Sequence, residues 1–223
     1  MIPYKDDNPT ASPPIVTVGF IILNIAVFLL QISSRQGMQI TYAYGAIPQS
    51  LLTFESHQPV HPAFTIFSSM FMHGGLFHLG GNMLYLWIFG NNIEDRLGHL
   101  RFVIFYLFCG MCAAYSHALS NPHSTVPMIG ASGAVSGILG AYMLLFPRAN
   151  IHTLIFLGFF ITTVKIPALI VIGFWAFLQF LNGMISSGLP NAGGVAWFAH
   201  LGGFLVGMLT IKIWVPQAAR RRW

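Results

Sequence analysis

Charge is so sparse along this chain that it divides the sequence into long uncharged windows, and these windows limit what the chain can fold into. Residues 8–34, 56–93, 102–147 and 166–211 contain no Asp, Glu, Lys or Arg. Only 7% of the 223 residues are charged, and 55% are hydrophobic. An average soluble domain is about 25% charged. A water-facing surface cannot be built this way, which excludes an ordinary soluble enzyme, a disordered chain and a disulfide-built secreted domain.

A membrane span takes about 20 apolar residues. The first window holds one span, and the second holds one span plus a re-entrant or amphipathic stretch. The third and fourth hold two each, divided by the loop-like runs 120–123 and 186–191. The predicted spans are 15–33, 76–92, 101–119, 130–146, 166–185 and 198–215. Residues 154–161 are also apolar, but the uncharged interval around them, 149–164, follows Pro147 and is too short to cross. It reads as a non-spanning stretch at the interface. The expected fold is an all-α polytopic membrane protein, a six-helix transmembrane bundle. Residues 1–14 would be a cytoplasmic N-terminal tail, 15–215 the membrane domain and 216–223 a basic cytoplasmic tail.

The distribution of positive charge orients the bundle. With the N-terminus inside, Lys5, Arg96, Arg101, Arg148, Lys165, Lys212, Arg220, Arg221 and Arg222 all fall on the inner side, and only Arg35 falls outside. Both termini are therefore expected to be cytoplasmic. Asp6 and Asp7 precede the first span and no cleavage-site pattern follows it, so that span is expected to remain as an anchor. The formal net charge of +5 forms no patch apart from Arg220–Arg222. A basic tail beside the membrane accounts for these arginines, and nucleic acid is not an expected partner. Cys109 and Cys112 lie inside an apolar run without βαβ context, so they read as small buried residues rather than a redox pair.

Polar side chains inside spans are costly and mark function unless they serve packing. Those remaining are His78, Asn82, Ser132, Ser136, Gln179 and His200, with Asn24 and Gln31 near the ends of the first span. In the predicted topology His78, Ser132 and His200 each lie near the outer start of spans 2, 4 and 6, and Asn82 lies one turn below His78 on the same face. A hydroxyl, two imidazoles and a carboxamide at one depth are the parts of an acyl-transfer site. Small residues surround them. Gly133, Gly137, Gly140 and Ala141 give span 4 a smooth face, and Gly203 and Gly207 share a face with His200. Such faces let helix backbones approach closely.

Several motifs resemble the rhomboid family of intramembrane serine proteases. Gly130-Ala131-Ser132-Gly133 resembles its G-x-S-G motif. Ala199-His200 with Gly203 and Gly207 resembles its A-H-x-x-G-x-x-x-G span, and His73, His78 and Asn82 its H-x-x-x-x-H-x-x-x-N. Gly90, Glu94 and Gly98 match its G-x-x-x-E-x-x-x-G. The family's Trp-Arg pair is missing, since Arg35 has no adjacent Trp.

The resemblance implies a six-span rhomboid-like bundle in which Ser132 is the nucleophile and His200 the general base, a dyad with no acidic third member. His78, Asn82 and the Ser132 backbone N–H are the expected oxyanion donors. His73, Gly130 and Gly133 are possible supports, and Gly137, Gly203 and Gly207 pack the helices. The implied substrates are single-span membrane proteins cut near the outer end of their helix, in the lipid bilayer of a bacterial inner membrane, with no cofactor and no metal. The connection 186–197 is a candidate lid, and span 5, with Phe174, Trp175 and Phe177, a candidate lateral gate. One alternative is a catalytically silent rhomboid-like protein that binds or escorts other spans. Another is a transporter with His78 and His200 as a proton relay, although the spans offer it no carboxylate.

Overall fold

The computed structural model describes residues 2–34, 36–55, 58–158, 160–187 and 195–216. The chain is mostly helical. Strand β1 (Ile2–Asp6) is followed by helix α1 (Ile15–Ser33) and the short helices α2 (Gly37–Tyr44), α3 (Pro48–Thr53) and α4 (Pro62–Ser68). The long helices α5 (Leu76–Leu97) and α6 (His99–Ser120) precede α7 (Ser132–Leu145). Strands β2 (Asn150–Leu157) and β3 (Phe160–Pro167) then lead into α8 (Ala168–Ser187) and α9 (Trp197–Trp214). Among the described residues α1, α6, α8 and α9 are long and apolar enough to cross a membrane, and α7 is a shorter apolar helix.

Helix α7 lies at the centre. Every residue from Gly133 to Tyr142 is buried, and α5, α6 and α9 all pack on it. Its small residues permit this. A Cβ on Gly140 would overlap the Phe204 carbonyl, one on Gly207 the Gly137 backbone, and one on Gly203 the Gly133 carbonyl. Apolar side chains gain little by leaving lipid, so this close van der Waals fit is what joins α7 to α9. Cys109 fills the space beside Gly137. Both cysteines are free.

Two expectations need correction. The first concerns the all-α class. Residues 2–6, 150–157 and 160–167 form a three-stranded antiparallel sheet in the order β1-β2-β3. Length and apolarity alone do not distinguish a strand from an interfacial stretch at 154–161. The stretch and its flanks carry β-branched residues at close spacing, Ile151, Thr153, Ile155, Ile161 to Val164 and Ile166, which favour strands. Gly158, at φ +61°, takes the left-handed conformation the turn requires. The sheet is fastened to the bundle by the buried Asp6, which accepts from Tyr142 Oη at 2.6 Å and from Asn92 Nδ2 at 3.0 Å.

The second correction concerns α5, which runs past residue 92 to Leu97. The charged residues at its end are used there rather than released to solvent. The Glu94 carboxylate is 1% exposed. It accepts from the Val16 and Thr17 backbone N–H groups at 2.9 and 2.8 Å and from Thr17 Oγ1 at 2.7 Å. A carboxylate here satisfies donors that the first turn of α1 leaves open and complements the positive end of its dipole. His99 Nδ1 lies 2.6 Å from the same carboxylate.

Candidate active site

Ser132 is the first residue of α7, and His200 lies in the first turn of α9. The fit between the two glycine faces brings the residues together, with His200 Nε2 2.8 Å from Ser132 Oγ. That is within the range for proton transfer from a hydroxyl to an imidazole. The other ring nitrogen, Nδ1, lies 2.7 Å from Gln179 Oε1 on α8. The Trp175 and Trp197 rings each have their centroid 6.2 Å from that of His200. Ser136 is occupied elsewhere, donating to the Ser132 carbonyl at 2.6 Å.

His78, near the start of α5, packs on Gly130. A Cβ built on Gly130 would lie 2.8 Å from His78 Nε2 and 3.6 Å from Ser132 Oγ. Gly130 also has φ +129°, so glycine is required there for both conformation and space. Its N–H donates to the Ser69 carbonyl at 2.9 Å, which fixes the approach to Ser132. Asn82 lies one turn deeper, and its Nδ2 donates to the His78 carbonyl at 3.0 Å. The backbone N–H groups of the first turn of α7 have no acceptor within the helix, and they add the positive end of its dipole beside Ser132.

His73 stands apart from this group. It is buried, and its ring meets His78 edge-on at a centroid distance of 5.1 Å. Its backbone N–H donates to Gln31 Oε1 at 3.0 Å. Gly133, Gly137, Gly203 and Gly207 lie at backbone contacts between α7 and its neighbours.

A cavity of about 760 Å³ opens at this end of the bundle, lined by Ser132, His200, His78, Asn82 and Gln179 together with Trp175. Its wall is mostly apolar with a few polar groups, the usual make-up of a small binding site. Of the candidate gate residues Trp175 faces the cavity, whereas Phe174 and Phe177 are exposed on the outside of α8. Most of the candidate lid, residues 188–194, lies outside the described residues, as do Arg35 and Arg220–Arg222. Sequence reasoning found Gln179 as a polar residue in a span but not its bond to His200. The signal available was its i+4 spacing from Trp175, which places both on one face of α8.

Comparison with known proteins gives the same family that the motifs resemble. Residues 61–217 match the Rhomboid domain family. The mitochondrial Rhomboid protein 1 of Saccharomyces cerevisiae is 32% identical over 150 residues, covering 65% of this chain and 40% of that protein. Rhomboid protease GluP of Bacillus subtilis is 29% identical over 208 residues, 92% of this chain and 36% of its own. RHOMBOID-like protein 1 of Arabidopsis thaliana is 30% identical over 149 residues, 67% and 34% of the two chains. The matched region thus spans roughly a third to two fifths of these relatives' length. With the motifs in order along the helices and the family match covering well over half of the sequence, this multi-pass membrane protein belongs to the rhomboid family.

Proposed function

We propose that the protein is an intramembrane serine endopeptidase working through Ser132 and His200. The observation that carries this reading is the 2.8 Å approach of Ser132 Oγ to His200 Nε2 in the wall of an open cavity. A serine alone is a poor nucleophile and needs a base at this distance. His200 takes the hydroxyl proton as Oγ adds to the substrate carbonyl, then returns it to the departing amine. Water then takes the place of the amine: His200 removes a proton from it as it adds to the acyl carbonyl, and returns that proton to Ser132 Oγ as the acyl–oxygen bond breaks. The negative oxygen formed on addition is held by His78, the Asn82 carboxamide and the Ser132 backbone N–H, a reading supported by the presence of all three residues in the wall of one cavity.

The proposed topology has six spans, comprising α1, α5, α6, α7, α8 and α9, with both ends of the described chain on the inner side. It rests on the positive-inside asymmetry. Helix α7 has only 14 residues, but it is surrounded by protein, so it need not match the full thickness of lipid. Starts of α5, α7 and α9 then lie at the outer face, where water reaches the cavity. The substrates are single-span membrane proteins, and the bilayer is a bacterial inner membrane. A helical carbonyl is hydrogen-bonded and shielded, so the substrate must unwind locally near the outer end of its span.

The test is labelling with a serine-reactive fluorophosphonate in detergent. The wild type should be modified at Ser132, and Ser132→Ala and His200→Ala should not. Labelling that is unchanged in His200→Ala contradicts the assignment of the base.

A further inference from the structure

We propose that Gln179 is a positioning residue that holds His200 in the tautomer able to receive the serine proton. This rests on the protease reading above. A neutral imidazole has one N–H and one bare nitrogen, and the partner of one nitrogen decides the state of the other. Gln179 Oε1, a carbonyl oxygen that can only accept, lies 2.7 Å from His200 Nδ1. The hydrogen is therefore on Nδ1. Nε2 is left bare, facing Ser132 Oγ at 2.8 Å, where it accepts the hydroxyl hydrogen. With the hydrogen on Nε2 the ring would donate to Oγ and could not act as a base.

Among the described residues around the ring, Gln179 is the one that gives Nδ1 an acceptor. Trp175 and Trp197 stand against the ring at 6.2 Å, restricting its position. An indole offers only a donor, so neither tryptophan can accept from Nδ1. Gln179 is 8% exposed and belongs to α8, whereas His200 belongs to α9, so the bond also ties the base to a second helix. An amide is suited to this place. It orients the ring as a carboxylate does in a serine triad, without putting a charge inside a membrane bundle.

The test reads the tautomer directly. Nitrogen-15 NMR of histidine-labelled protein in detergent reports which ring nitrogen carries hydrogen, and the His200 signal is identified by its loss in His200→Asn. Wild type should show hydrogen on Nδ1. Gln179→Glu should keep it there, because a carboxyl oxygen still accepts. Gln179→Leu and Gln179→Met remove the acceptor at similar volume and should show a substantial Nε2–H population. In both, kcat should fall by about 3- to 10-fold with KM unchanged, the size expected for one neutral hydrogen bond, and Gln179→Glu should recover most of it. If the leucine variant does not fold, the methionine variant carries the same measurement. An unchanged tautomer in the folded variants overturns the proposal even if activity drops, since the loss then comes from packing. Failure of the protease reading appears separately, as turnover by Ser132→Ala.

Discussion

The carbonyl oxygen of Gly133 occupies the place where a side chain on Gly203 would begin. The two glycines lie one helical turn or less from Ser132 and His200, so the same contact that packs α7 on α9 also sets the distance between hydroxyl and imidazole. Gly203→Val must push the helices apart. Displacement by ~1 Å can cost about 100-fold in rate, and overpacking costs about 1–3 kcal/mol. The variant should lose both activity and thermal stability. Leu205, on the same helix, is 48% exposed, and Leu205→Val should lose neither. Cleavage and unfolding of both variants in one detergent check this, and a fully active Gly203→Val protein would break the link between packing and chemistry.

Glu94 supports the bundle from the other end. Its buried carboxylate accepts two backbone N–H groups and a hydroxyl from the start of α1. Glu94→Ala leaves those buried donors unsatisfied and should cost on the order of 3 kcal/mol. Glu94→Gln keeps one accepting oxygen and should fall between the two. Thermal unfolding measures the order of the three proteins. Equal stability of wild type and Glu94→Ala would show that the start of α1 is held in some other way.

These two residues illustrate what was legible in the sequence. The close approach at Gly203 was readable, because small residues at helical spacing leave few packing options once a span is recognised. Ser132 and His200 stood out because a polar side chain in an apolar span is expensive and therefore conspicuous. Glu94 was visible only as part of a motif. Its partners, Val16 and Thr17, lie more than 70 residues away, and no local pattern points to them. Gln179 was visible as a polar residue, but its bond to His200 depends on how α8 is rotated against α9, which tertiary packing decides. The strands 150–157 and 160–167 are not legible from apolar length, since an apolar run suits a strand and an interfacial stretch alike; the β-branched residues there carry the information.

Asn82 distinguishes an oxyanion donor from a packing residue. Its Nδ2 donates to the His78 carbonyl, and it lines the same cavity as Ser132. Removing one oxyanion donor elsewhere costs about 100- to 1000-fold. Asn82→Ala should lower turnover by roughly 10- to 1000-fold while Ser132 still takes a fluorophosphonate label. Unchanged turnover would leave the developing charge to His78 and the backbone alone.

The central claim is that Ser132 and His200 act as one unit, and the most direct test is turnover by purified, reconstituted protein. The measurement is cleavage of a single-span substrate carrying helix-breaking residues near the outer end of its span. It compares wild type, Ser132→Ala, His200→Ala and the double variant, each confirmed as folded by thermal unfolding. Losses within such a unit do not add. The account predicts that all three variants lose turnover to about the same extent. Appreciable turnover by folded Ser132→Ala protein would contradict it.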